Sequence, residues 1–268
     1  GTAIVIDPPE PMGAEFLEVL GRYEKVIIVS VRATIPADKP LAVDNDEKSQ
    51  IFVFDATTDF HSFHKEYFCG MFKNGRKNFF ADRYQVDPFV FNQQHGLLER
   101  GFVFVAGLGR EWPLIGEVAC ETKFPFVVVT SADIISMFKI REWDCDNLSI
   151  FEPLPLRKFV ALLESSSVVL DITENRGSAF VTAHALFAGK PIVSSGVEVD
   201  GELSHPYVNH GDNGYLNAGF EKEAFIHLIS ELMEDPVRRQ AMGHRSMELR
   251  GRADIHSFIR RVAIEARV

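Results

Sequence analysis

The sequence predicts an α/β fold built on parallel sheets, and three observations carry the prediction. Short apolar runs recur along the chain, among them Val26-Ile27-Ile28-Val29, Phe102-Val103-Phe104-Val105, Val168-Val169-Leu170 and Ile192-Val193. Such runs read as strands covered on both faces, as in a parallel sheet. Segments with helical periodicity lie between them, so strand and helix alternate over the whole length. The unit is clearest from Ser167 to Ser195: a strand, a polar turn, a helix, Gly189 as helix stop and a second strand. A short helix between two buried strands is a crossover.

The elements follow in order. Ala3-Ile4-Val5-Ile6 is a strand closed by Asp7-Pro8-Pro9, and Glu15 to Tyr23 reads as a helix with Phe16, Leu17, Val19 and Leu20 on its apolar face. Strands at 26–29 and 51–54 flank a proline-bearing acidic loop at 36–49. Asp59 is a candidate N-cap for a helix through Phe72, and Lys77 to Ala81 a candidate fourth strand. After a polar stretch at 84–101, strands are expected at 102–105, 126–130, 148–151, 168–170 and 192–193. Helices are expected up to about Lys123, at 134–143, at 156–164 and from Ser178 to the Gly189 stop. Beyond Gly196 the chain turns polar, with Asn213-Gly214 as a turn signal, and two helices close it, Glu221 to Met233 and Pro236 onward.

Composition narrows the functions. The 268 residues are enough for one large α/β domain or two small ones. A formal net charge of −10 argues against a general nucleic-acid binder, because phosphate neutralisation needs clustered Lys and Arg. Cys69, Cys120 and Cys145 stand far apart without metal-type spacing, which suggests a reduced, cytoplasmic chain. No apolar run is long enough to span a bilayer, and no signal peptide is evident. His61 and His64 make an i, i+3 pair with no third ligand in view, so they read as ordinary core or surface histidines. Phe60, Phe63, Tyr67, Phe68 and Phe72 form a helical stripe, more consistent with core or an interface than with a ligand platform; it makes a homodimer conceivable. Asp7, at a strand end, reads as a turn cap, with a base toward an acceptor hydroxyl as the alternative.

The turn after Val168-Val169-Leu170 lies at the carboxyl end of a strand and the positive end of a helix. Ligands of open α/β sheets bind at such points, and phosphates suit them best. From here the chain resembles a known group. Gln85-Val86-Asp87-Pro88-Phe89, Ala106-Gly107-Leu108-Gly109-Arg110-Glu111-Trp112, Leu156 to Leu170, Arg176-Gly177-Ser178 with Gly189-Lys190-Pro191, Gly211-Asp212-Asn213-Gly214-Tyr215-Leu216, and Asp235-Pro236 with Met242-Gly243 follow one another in order. Together they resemble the donor-domain motifs of GT-B glycosyltransferases, in the retaining group called glycosyltransferase group 1, over about residues 85–250.

The resemblance implies two Rossmann-like parallel-sheet domains, the N-terminal one reduced: an acceptor-side domain at 1–90 and a nucleotide-sugar-binding domain at 91–250. A C-terminal helix at 251–268 would pack back on the first domain. The donor, a nucleoside diphosphate sugar, would lie between the domains and mostly on the second; no metal or covalently bound cofactor is required. Gly107 and Gly109 would let the backbone approach the diphosphate beside Arg110, facing Glu174, Arg176, Gly177 and Ser178, with Asn213-Gly214 as a further partner loop. Arg110, Arg176 and His184 are the candidate catalytic groups, and the strand end at Thr130-Ser131 and the segment Phe151-Glu152-Pro153-Leu154, with Ser131 and Glu152 as the binding candidates, would flank the ribose and base. The acceptor would be a glycan, a lipid-linked molecule or a small molecule.

Two departures bear on activity. Many relatives carry a pair of glutamates where this chain has Arg176 and His184, although Glu174 lies close to the first. A neutral imidazole does not replace a carboxylate's two acceptors. The alternative is therefore a catalytically degenerate GT-B module that binds a nucleotide or a partner protein without turnover. A sugar-nucleotide epimerase is a third reading without motif support.

Overall fold

The computed structural model describes residues 2–6, 18–20, 22–30, 50–55, 76–81, 91, 99–106, 111–141, 143, 145–172, 179–199, 202–254, 256, 260 and 263–264. The chain divides into two units, Gly1–Gln85 with Ile255–Val268, and Val86–Asp254. Asp7, Asp59, His61, His64, the aromatic stripe and the loop at 36–49 lie outside the described residues.

The first unit holds a four-stranded sheet of β1 (Thr2–Ile6), β2 (Lys25–Ser30), β3 (Gln50–Asp55) and β4 (Arg76–Ala81), in that order and parallel throughout. Val26, Ile27 and Ile28 are buried in succession, so both faces of β2 are covered and the continuous apolar run has its physical reason. Residues 18–20 are helical, with Leu20 3% exposed and Val19 46% exposed. The expected apolar face thus excludes Val19, which points to water.

The larger unit begins with β5 (Val103–Ala106), α1 (Trp112–Glu121), β6 (Phe126–Val129), α2 (Ala132–Arg141) and β7 (Leu148–Phe151). It continues with α3 (Leu156–Ser165), β8 (Val168–Asp171), α4 (Ala179–Phe187) and β9 (Ile192–Ser195). A hairpin of β10 (Val197–Val199) and β11 (Glu202–Ser204), then β12 (Gly214–Asn217), α5 (Lys222–Glu234) and α6 (Pro236–Leu249) complete it. The six-stranded sheet runs β12-β9-β8-β5-β6-β7, and every neighbouring pair is parallel. The chain steps outward from β5 to β7, crosses back to lie beside β5 as β8, and steps outward the other way. That is the doubly wound order, with its switch point between β5 and β8.

Side-chain alternation puts helices on both faces. Val103 and Val105 join Ile115 and Val118 of α1 with Phe225 and Ile229 of α5 in one core. Phe104, between them, faces the opposite side, where Phe159 of α3 stands edge-on at 5.3 Å. All four residues of β5 and of β8 are buried.

Three strands are unexpected. β10 and β11 are three residues long and mixed in character, and β12 opens on a glycine, so none carries a periodic signal. Gly214 pairs with Ile192, and a Cβ on it would lie 2.0 Å from the Ile192 carbonyl oxygen. It opens a strand, and the turn is made before it, where Asn213 accepts from the Asn209 N–H at 2.7 Å and donates to Tyr207 O at 3.0 Å.

The glycine motifs around this strand meet one another. Gly189 ends α4 at φ +63°, and Gly243 of α6 sits so close that a Cβ there would be 2.3 Å from Gly189 O. Ser246 donates to Lys190 O at 2.8 Å. All of this lies at the amino ends of β9 and β12. Asn213-Gly214 is therefore at the opposite end of the sheet from the carboxyl ends of β5 and β8, which corrects the expectation that it partners the donor loops.

A second correction concerns redox state. Cys120, at the end of α1, and Cys145, in the segment before β7, are joined in a disulfide with Cα atoms 5.0 Å apart. Sequence spacing cannot disclose it, because the partners meet only after α1, β6 and α2 have folded. Trp143 clamps the same segment: its ring covers Gly116, where a Cβ would come within 2.3 Å. Asn147 Nδ2 reaches the carbonyls of Ala119, Thr122 and Phe124 at 2.7–2.9 Å. The bond removes the cysteine argument for a cytoplasmic setting. Among the described residues no helix is long and apolar enough to cross a membrane.

Candidate functional site

The site is framed by the two central strands. Ala106 ends β5, and Glu111 holds the N-cap position of α1, with Pro113 in the first turn where its missing N–H costs nothing. Asp171 ends β8 and Ala179 starts α4. Gly107, Gly109 and Arg110 follow β5 in sequence, and Glu174, Arg176, Gly177 and Ser178 follow β8; all lie outside the described residues. Their anchors do not. Val105 pairs with Leu170, so β5 and β8 end side by side about 5 Å apart at the switch point. Each connects directly to the amino end of a helix, where unsatisfied N–H groups and the helix dipole favour an anion.

Beside the switch point lies a cavity of about 580 Å³. Ala106, Thr130 and Ser131 supply the strand-end side of its wall, and Leu154, Phe159 and Phe180 much of the remainder. Thr130 follows β6 directly; its N–H donates to Phe151 O at 3.0 Å, which fixes the backbone. The side chain is 4% exposed, and its Oγ1 has no hydrogen-bond partner among the described residues. Ser131 is exposed at the mouth, and its carbonyl accepts from Ile135 N–H in the first bond of α2.

Glu152 stands elsewhere. Leu148, Ile150 and Glu152 share one face of the edge strand, by the two-residue period of a strand, and line a separate cavity of about 420 Å³ with Phe138, Trp143 and Cys145. The structure thus brings Ser131 to the switch-point cavity and turns Glu152 away from it.

His184 lies one turn along α4 from Phe180. It is 3% exposed, its ring centroid 4.3 Å from that of Phe180, 5.8 Å from Phe91 and 6.0 Å from Phe159. Nδ1 donates to Phe180 O at 2.6 Å, which sets the tautomer. Burial among these rings pushes its pKa down to about 4, a shift only partly opposed by the backbone hydrogen bond. His184 is neutral near pH 7 and buttresses the Phe180 side of the cavity. Phe159 and Phe180 are the cavity residues that sequence reasoning missed. An aromatic in the first turn of the crossover helix was the available signal.

No family model and no curated protein matches the sequence. Solved structures do match in three dimensions. The pneumococcal O-GlcNAc transferase GtfA, in complex with UDP and GlcNAc, aligns with TM-score 0.64 and 15% identity over 98% of this chain and 56% of that one. A variant of TarM from S. aureus, in complex with UDP among other ligands, gives 0.60 and 13% over 90% and 55%. HepE from Anabaena, in complex with UDP, gives 0.59 and 12% over 98% and 85%. The chain has the GT-B fold. It spans little more than half the length of GtfA and TarM, 56% and 55%. Within the GT-B fold, the switch point between β5 and β8 belongs to the larger unit, Val86–Asp254.

Proposed function

We propose that this chain is a glycosyltransferase that moves a sugar from a nucleoside diphosphate donor to an acceptor hydroxyl. The observation that carries the reading is that β5 and β8 end side by side at the switch point, each followed in sequence by a helix, α1 and α4, beside the 580 Å³ cavity. The diphosphate would lie across those two strand ends, approached by the backbone at Gly107, Gly109, Gly177 and Ser178, with the nucleoside in the cavity past Ser131. In the transfer, the bond from the anomeric carbon to the diphosphate oxygen breaks and the diphosphate keeps the electron pair. The acceptor oxygen forms the new bond and gives up its proton. Arg110 and Arg176 would stabilise the charge that develops on the departing diphosphate. The UDP bound in GtfA and HepE supports a nucleoside diphosphate as the common ligand chemistry.

Thermal shift with nucleoside diphosphates tests binding, since a ligand that binds only the native state raises the melting point. Turnover is tested by release of nucleoside diphosphate from a nucleotide sugar. Arg110→Ala or Arg176→Ala should lower that rate by roughly 10²–10³-fold, the usual loss for removing one preorganised charge-stabilising group. Rates unchanged in both variants would remove the site assignment.

A second reading, a donor-binding GT-B module without turnover, is favoured by His184. Neutral and buried against three aromatic rings, it offers the sugar no charge. Nucleotide binding without release of product from any donor would select it.

A further inference from the structure

We infer that β7 is a dimerisation edge: it pairs antiparallel with β7 of a second copy of this chain and joins two six-stranded sheets into one. The two outer strands of the sheet, β12 and β7, differ in cover. Three of the four residues of β12 are buried, whereas none of those of β7 is. Leu148 and Ile150 are half-buried, Ser149 is exposed, and Phe151 leaves 43% of its surface in water. Among the described residues no strand pairs with the outer side of β7. Between Asn147 and Glu152 the strand carries no charge and no proline, two devices that keep an edge from recruiting another strand.

The hydrogen bonds decide which groups face outward. Asn147 O accepts from Phe126 N–H at 2.7 Å and Phe151 O from Thr130 N–H at 3.0 Å, so the odd-numbered residues of this segment bond inward to β6. Leu148, Ile150 and Glu152 therefore turn their N–H and C=O groups away from the sheet. A two-fold axis through Ile150 matches them. Ile150 exchanges both bonds with Ile150 of the second copy, and Leu148 with Glu152 of the second copy. On the other face, Phe151 comes opposite Ser149 of the second copy and within diagonal reach of its Phe151.

The side chains of the same outward residues select the occupant. Leu148, Ile150 and Glu152 line the 420 Å³ cavity, and Ile135, Phe138 and Lys139 of α2 stand across it. Lys139 and Glu152 have no ion-pair partner among the described residues. As a crossover helix, α2 runs back against β7, so Lys139 stands toward the Leu148 end of the cavity and Glu152 at the other. The two-fold register sets Glu152 of each copy opposite Leu148 of the other, on the Lys139 side. An unrelated strand would have to bring a carboxylate to that one position; a second copy carries it there by symmetry.

Sedimentation equilibrium from micromolar to submillimolar chain should show a monomer–dimer equilibrium. As the dimer forms, amide exchange should slow at Ile150 and Glu152 and stay unchanged at Ser149 and Phe151, which already face β6. Ile150→Lys sets two like charges opposite each other in the middle of the seam and should leave a monomer with the circular dichroism of the wild type. Lys139→Glu should weaken the dimer about tenfold, because each dimer carries the ion pair twice. The double variant Lys139→Glu/Glu152→Lys should restore it. Both residues are exposed, so this second set reads the seam even where Ile150→Lys disturbs the fold. A wild type that stays monomeric would overturn the inference, as would a dimer left intact by Ile150→Lys. Failure of the double variant to recover the affinity lost in Lys139→Glu would overturn it too, since the proposed register depends on that pair.

Discussion

His184 couples protonation to folding. In the folded chain its pKa is about 4, against 6.5 in the unfolded chain, so the unfolded state takes up the proton first as pH falls. Its contribution to stability is complete above pH 6.5 and is lost progressively down to about pH 4. Between pH 6.5 and pH 5 the loss should be about 2 kcal/mol, from 1.36 kcal/mol for each pH unit. Urea unfolding of wild type and His184→Leu across that range checks this. The wild type should weaken more steeply by that amount, and parallel curves would show that His184 is not buried neutral. At this scale the sequence was informative about residue type and silent about setting. It singled out His184 as a candidate catalytic group, whereas its packing is set by Phe180 one turn back on α4 together with Phe91 and Phe159, which arrive from two other segments. The strand end at Thr130-Ser131 was expected beside the ribose and base, but the burial of the Thr130 hydroxyl was not, since it depends on neighbours that only the fold brings together.

Among the elements, length decided what could be read. The helices of ten or more residues and the strands of β-branched and aromatic residues declared themselves by periodicity, whereas β10, β11 and β12 are too short and mixed to do so. Gly189 was legible as the helix stop it is, but the close packing made at the motif glycines was not. Gly189 and Gly243 pack α4 against α6, and Gly214 lets β12 approach β9. The Cys120–Cys145 bond is the least legible feature and has a direct consequence for stability. It closes a loop of 25 residues around β6 and α2, and constraint of the unfolded chain over that length stabilises by about 3 kcal/mol. Denaturant midpoints with and without a thiol reductant, or in the double variant Cys120→Ala/Cys145→Ala, should differ accordingly. Identical midpoints would mean that the bond does not form in solution.

For the molecule as a whole, the alternation of strand and helix announced parallel sheets, but no local pattern states the order in which strands lie. The order β12-β9-β8-β5-β6-β7 places the candidate site on the larger unit, and that assignment is open to test. Amide hydrogen exchange with and without UDP should slow in the first turns of α1 and α4, Trp112–Ile115 and Ala179–Thr182, and stay unchanged in β2 and β3. Slowing confined to Lys25–Ser30 and Gln50–Asp55 would put the nucleotide on the other unit.

The switch point also governs how the chain is made. β5 finds β6 and then β7 as synthesis proceeds, but its other neighbour, β8, begins 65 residues after β5 does, Val168 pairing with Val103. Until β8 arrives, β5 presents an unpaired edge of Val-Phe-Val-Ala, the kind of strand that recruits wrong partners. The pairing that covers that edge is the same one that sets the carboxyl ends of β5 and β8 side by side. Under the proposed function, competence to bind nucleotide would be acquired in the step that covers the β5 edge, and a nascent chain holding nucleotide would already be past that exposure.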